Sequence, residues 1–166
     1  ARLAARSAMR VGAGAVKIVC DANVIDIIEP QISVELIEIA HNKQDFQNIL
    51  KDKKITAALI GPGNGVSDET KARVLMALAF IDYVVLDADA ITVFSENPKE
   101  LFIDCYPHTI LTPHEGEFKK IFGNEINNIE ERSLKTAEAA KISNTIVVLK
   151  GADTIIASPN GEVVVN

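Results

Sequence analysis

Four short motifs carry the residue types that can do chemistry, and each follows a strand-like run. The first is Leu111-Thr112-Pro113-His114-Glu115-Gly116-Glu117-Phe118, where a Pro, a His, a Gly and two Glu meet at a strand-to-helix handover. The His114 imidazole can hydrogen-bond a substrate hydroxyl, carboxamide or phosphate. The second is Gly61-Pro62-Gly63-Asn64-Gly65, flexible backbone just before a helix, where amides can approach an anion and the helix start adds partial positive charge. The third is Asp87-Ala88-Asp89-Ala90, where one carboxylate can help hold a Mg2+–phosphate group through water while the other caps the following turn. The fourth is Lys150-Gly151-Ala152-Asp153-Thr154, with a Lys for a nucleotide phosphate, a Gly for close backbone approach and a hydroxyl. Each has a plain structural alternative. The glycines suit an ordinary loop needing positive φ. Either Asp can cap a helix or form a turn. Glu117 suits a first helical turn, and Lys150 a solvated turn.

These motifs need a scaffold that lines up strand ends. Strand-like runs at 15–20, 34–39, 55–60, 83–86, 108–111 and 145–149 alternate with helix-like runs for most of the chain. The helices are expected over the Ala-rich start (ending near Gly12 and Gly14), over 23–28 and 45–51, after Ser67, after His114 and over 130–142. Ser67 is the expected cap of its helix, Asp68 and Glu69 fill the first turn, and Val74, Leu75, Leu78 and Ile81 form the apolar stripe. Runs at 154–157 and 162–165 flank Asn160-Gly161, a hairpin signal. The expected architecture is an α/β fold, a mostly parallel sheet flanked by helices with a C-terminal β-hairpin, in one domain over 1–166. In such sheets ligands bind at the carboxyl ends of the strands.

Composition narrows the function. The 166 residues are 48% apolar and 24% charged with net charge −6, the profile of a folded globular domain. The acidic balance, the shortness of the Lys51, Lys53, Lys54 cluster and the lack of Trp argue against a nucleic-acid surface. No apolar run approaches the about 18 residues of a membrane span. Cys20 and Cys105 have no zinc spacing and make no disulfide framework, so a reducing cytoplasm is the simplest compartment. Sheets of this kind can pair through apolar helix faces, which makes a homo-oligomer an expectation.

The order of the four motifs is more specific than any one of them. Gly-Pro-Gly-x-Gly, Val-Val-Leu-Asp-Ala-Asp-Ala, Leu-Thr-Pro-His-x-Gly-Glu-Phe and Val-Val-Leu-Lys-Gly-Ala-x-Thr, with the opening helix through Gly14, together resemble the ADP/ATP-dependent NAD(P)H-hydrate dehydratases of the ribokinase-like superfamily. The resemblance implies repair of NADH or NADPH hydrated at C6, with ADP or ATP as phosphoryl donor and Mg2+. Phosphorylation turns the C6 hydroxyl into a good leaving group, and elimination restores the dihydronicotinamide. It further implies that Gly61, Gly63, Gly65 and His114 contact the hydrated dinucleotide and that Ala1 edges a further substrate loop. Lys150, Gly151, Ala152, Asp153 and Thr154 would line the nucleotide phosphates, and Asp87 and Asp89 would help organise the metal.

The chain departs from that pattern in three places. The family's glycine-rich loop precedes the point where Ala1 stands. Its Gly-x-Gly-Asp segment, bearing the expected catalytic base, follows the last hairpin. Neither is present, so both ends read as cuts, no catalytic residue is assigned, and these 166 residues alone are expected to turn over little. Glu115 stands where many members have Pro. The competing readings are a small-molecule kinase of the same superfamily and a degenerate nucleotide-binding fragment.

Overall fold

The computed structural model describes residues 1–31, 36–126 and 128–166, which fall into two compact units, Ala1–Asp52 and Lys53–Asn166.

In the first unit, α1 (Arg2–Arg10) buries Ala5 and ends through Gly12 at φ +105°, with the Ala13 N–H returning to the Ala8 carbonyl. The parallel pair β1 (Lys17–Cys20) and β2 (Leu36–Ile39) follows, with Ile18 and Cys20 buried. Between them lie two 3-10 turns and the short α2 (Ile25–Ile28). The expected strand 34–39 begins two residues outside the described set. Asn42 caps α3 (Lys43–Leu50) by accepting from the Asp45 N–H at 3.0 Å, and Phe46, Ile49 and Leu50 face inward as their spacing predicts.

The second unit is built on six strands in the order β3 (Ala57–Ile60), β4 (Tyr83–Leu86), β5 (Ile110–Leu111), β6 (Ile146–Leu149), β7 (Ile155–Ala157) and β8 (Val163–Val165). The first four run parallel and the last two antiparallel. β3 differs from the fully buried strand its composition predicts. It lies at the sheet edge, and Ala57 and Leu59 are exposed. α4 (Asp68–Phe80) starts at Ser67, whose hydroxyl accepts from the Thr70 N–H at 3.2 Å. Its buried face is Thr70, Val74, Ala77 and Leu78, so the expected stripe is shifted toward Ala77.

After β4 come α5 (Asp89–Thr92) and α6 (Pro98–Asp104). No apolar periodicity announces α6, because seven residues bury only Leu101. Its Pro98 start is the legible sign. α7 (Glu115–Ile126) and α8 (Arg132–Ser143) complete the unit. Leu86, Leu111 and Leu149 at the strand ends are fully buried with Phe94, Ile91, Leu101 and Phe122. This core fixes the heights of β4, β5 and β6, and therefore of the residues that follow them.

Candidate active site

Because β3, β4, β5 and β6 are sequential parallel neighbours, their carboxyl ends form one edge. The residues that follow them are Gly61, Asp87, Thr112 and Lys150. Four motifs separated in sequence by up to about 90 positions thus meet along one crevice line, where ligands bind in open α/β sheets.

The glycine loop is tightly determined. A Cβ built at Gly61 (φ +131°) would stand 1.6 Å from the Asp87 carbonyl oxygen, so no other residue fits against the β4 terminus. Asn64 closes the turn, its Oδ1 accepting from the Gly61 N–H at 3.2 Å while its own N–H donates to the Gly61 carbonyl at 3.0 Å. Gly65 donates its N–H to Asp89 Oδ2 at 2.9 Å. Asp89 therefore ties the glycine loop to the start of α5. Between the two aspartates, Ala88 is held at φ +50°, ψ −117°, a conformation usually left to glycine.

Asp87 accepts from Lys150 Nζ at 2.6 Å across the sheet edge. Burial alone would raise its pKa. Hydrogen bonds from Lys150 and Thr112, the Lys150 charge and the Ala88 N–H outweigh burial and hold the carboxyl below its ordinary value. The Lys150 side chain stays 43% exposed, so an incoming anion can reach it.

His114 starts α7. Its Nδ1 accepts from the backbone N–H groups of Gly116 (2.9 Å) and Glu117 (3.3 Å), and the His114 backbone N–H donates to Glu117 Oε2 at 2.9 Å. This is a capping box with an imidazole in the place of the usual hydroxyl. With the Nδ1 lone pair committed, a neutral ring carries its proton on Nε2, which lies 3.4 Å from Glu117 Oε1 on a side chain 61% exposed. The ring can donate to a ligand, but it cannot take a proton on Nδ1 without breaking the helix cap. Glu117 is buried, and its capping role follows the structural alternative open in the sequence.

His114 and Lys150 are joined by a single parallel β-bridge, and the Lys150 N–H donates to the Pro113 carbonyl at 2.9 Å. Gly151, Ala152 and Asp153 form an exposed turn behind it, and the Thr154 hydroxyl faces the Gly151 carbonyl at 3.4 Å. Among the described residues no group of three or more His, Cys, Asp or Glu side chains could hold a metal ion. A Mg2+ at this edge would take its ligands mainly from phosphate oxygens and water, as this ion commonly does. The exposed Lys150 turn is a donor set suited to phosphate. Ala1 lies in the first unit, at the N-cap of α1, where its carbonyl accepts from the Ala5 N–H.

Sequence reasoning passed over three residues of this edge: Asn64, Thr112 as a partner of Asp87, and Arg132, which reaches the Lys150 turn from α8. An Asn inside a glycine loop is a turn-closing signal. Nothing local marks Arg132, because its contacts lie 17 and 21 residues away.

The family model described as NAD(P)H-hydrate dehydratase matches residues 1–166. The chain belongs to the NAD(P)H-hydrate dehydratase family. Within that family it is 31% identical over 163 residues to the ADP-dependent (S)-NAD(P)H-hydrate dehydratase of Bacillus subtilis, covering 98% of this chain and 56% of the relative. It is 38% identical over 115 residues to the bifunctional NAD(P)H-hydrate repair enzyme of Gloeobacter violaceus, covering 69% of this chain and 22% of the relative. The crystal structure of the ADP/ATP-dependent Bacillus subtilis dehydratase with ATP/Mg2+ superposes with TM-score 0.76 at 31% identity, covering 100% of this chain and 58% of that one. A ribokinase-like superfamily protein from Enterococcus faecalis superposes with TM-score 0.82 at 20% identity, covering 99% and 56%, which shows the shared ribokinase-like fold. The chain thus spans 56% of the Bacillus subtilis dehydratase and 22% of the Gloeobacter violaceus repair enzyme.

Proposed function

We propose that the protein carrying this chain is an ADP/ATP-dependent NAD(P)H-hydrate dehydratase, and that the chain supplies two walls of its site. The observation that carries the reading is the direct bridge between His114 and Lys150 at the shared edge of β5 and β6. It sets a solvent-facing imidazole beside a half-exposed ammonium, as a substrate hydroxyl and a nucleotide phosphate would need. Gly61, Gly63 and Gly65 with His114 bind the hydrated dinucleotide. Lys150 with residues 151–154 binds the adenine-nucleotide phosphates. Asp87 and Asp89 hold Lys150 and the glycine loop, and meet Mg2+ only through water.

In the reaction, the C6 hydroxyl oxygen of the hydrate bonds to the terminal phosphorus of ADP or ATP, and the phosphoanhydride bond breaks. The hydroxyl proton passes to solvent; the ring nitrogen then expels phosphate as the C6–O bond breaks, and loss of the C5 proton to solvent restores the C5–C6 double bond. ATP leaves as ADP, or ADP as AMP, with inorganic phosphate. Bound Mg2+ supplies charge neutralisation on the phosphates. Lys150 holds the transferred group in place, and His114 orients the hydroxyl while its capped Nδ1 excludes it as the base. The buried free thiols Cys20 and Cys105 suit a cytoplasmic protein.

The test is turnover by the whole protein with hydrated NADH, Mg2+ and either nucleotide, followed by the return of dihydronicotinamide absorbance. Nucleotide-dependent recovery that falls at least about a hundredfold in K150A is expected. Absence of recovery, together with phosphorylation of hydroxyethylthiazole, would move the protein to the small-molecule kinases.

A further inference from the structure

Arg132, the first residue of α8, reaches in two directions at once. Its Nε donates to Glu115 Oε1 at 2.7 Å, and its Nη1 donates to the Asp153 carbonyl at 2.8 Å. Its Nη2 is buried without an acceptor. That nitrogen lies over Gly151, where a Cβ would stand only 2.6 Å from it. Glu115 opens α7 beside His114, while Gly151 and Asp153 belong to the turn between β6 and β7. One guanidinium therefore spans from the His114 wall to the Lys150 wall. Lys135, one turn further along α8, also meets Glu115, at 3.4 Å, and otherwise sits over the Phe118 ring. It contributes charge to the same carboxylate from the side of α7.

We propose that Arg132 is a positioning residue for the phosphate turn: anchored by Glu115, it fixes the Asp153 carbonyl and the Gly151 backbone, and so sets the shape that the turn offers to an adenine-nucleotide phosphate. Only the identity of the ligand rests on the functional reading above. A planar guanidinium holds two acceptors in fixed directions, which a lysine ammonium at the same place does not. Gly151 leaves room for that plane, and any side chain there would displace it.

The experiment compares R132K, R132Q, E115A and K135Q in the whole protein. It reads the Kd of ADP with Mg2+ by calorimetry, the KM of the hydrated dinucleotide, the melting temperature and amide exchange at 151–154. R132K and R132Q are expected to weaken nucleotide binding about tenfold, the size of losing a charge-assisted hydrogen bond. E115A is expected to act in the same direction but less. The KM of the hydrated dinucleotide in the Arg132 variants, and the nucleotide Kd in K135Q, should stay within about twofold of wild type.

Wild-type nucleotide affinity in R132K would overturn the proposal. So would K135Q behaving like R132Q, which would reduce the effect to charge. A parallel loss of both substrates' affinities with a lowered melting temperature would leave Arg132 a purely structural residue and also refute it. Should the wild type bind no adenine nucleotide, the functional reading falls instead. Amide exchange then decides the strut alone: faster exchange at 151–154 in R132Q supports it, and unchanged exchange refutes it.

Discussion

At the scale of single residues, His114 has one observed role, the cap of α7, and one proposed role, the contact to the hydrated dinucleotide. Nδ1 caps α7, and Nε2 lies 3.4 Å from Glu117 Oε1 on a side chain 61% exposed. These roles separate by substitution. Asn is a good N-cap residue and can keep the cap, whereas Ala cannot. H114A is therefore expected to lose about 1 kcal/mol of stability in urea denaturation, and H114N only a few tenths. Both should raise the KM of the hydrated dinucleotide, since neither presents the Nε2 donor. Equal stability of H114A and wild type would show that the cap contributes nothing. His114 was legible as a candidate ligand contact from its place after Thr112-Pro113. Its capping role was not, because the usual capping signature is Ser or Thr followed three residues later by Glu.

At the scale of elements, the ends of β4 and β6 are joined by the Asp87–Lys150 pair. The Asp87 carboxyl titrates below its unfolded value, so it binds a proton less readily in the folded protein. Its contribution is complete above the unfolded pKa, about 3.9, and is lost as pH falls below that through the depressed native value. The stability gap between wild type and D87N should therefore be larger at pH 7 than at pH 3, read from urea midpoints at both. A gap that stays constant would show that the pair carries no charge-dependent stability.

Helices and strands with dense apolar periodicity or clear caps were readable in advance: α3 from Phe46, Ile49 and Leu50, α4 from Ser67, and the β7–β8 hairpin from Asn160-Gly161. α6 was not, because only Leu101 in it is buried. The edge position of β3 was not either, because an apolar run does not reveal how many neighbours a strand will have. The four strand-end motifs could be named from sequence, but the Gly61–Asp87 approach and the Arg132 tie depend on distances that only packing sets.

At the scale of the whole chain, both thiols are sequestered. Burial, with Asp104 adding to it, pushes the Cys105 thiol up to about 12, and burial with the Asp21 charge raises Cys20. At neutral pH neither offers a thiolate. A disulfide-exchange reagent should label the native protein about a hundredfold or more slowly than the denatured chain, because reaction waits for local opening. Fast labelling of one equivalent would show that one of the two units opens readily. Among the described residues no helix is long and apolar enough to cross a membrane.

The strand order of the second unit has a consequence for biogenesis. From β3 to β8, position in the sheet equals position in the chain. Each strand can dock on the edge completed just before it, and none has to insert between two already paired. A ribosome delivering the chain from its N-terminus exposes a growing edge one strand at a time, and each new strand with its helix covers the last. Assembly can proceed vectorially, with the newest edge and the outer edge of β3 the ones open to misassociation.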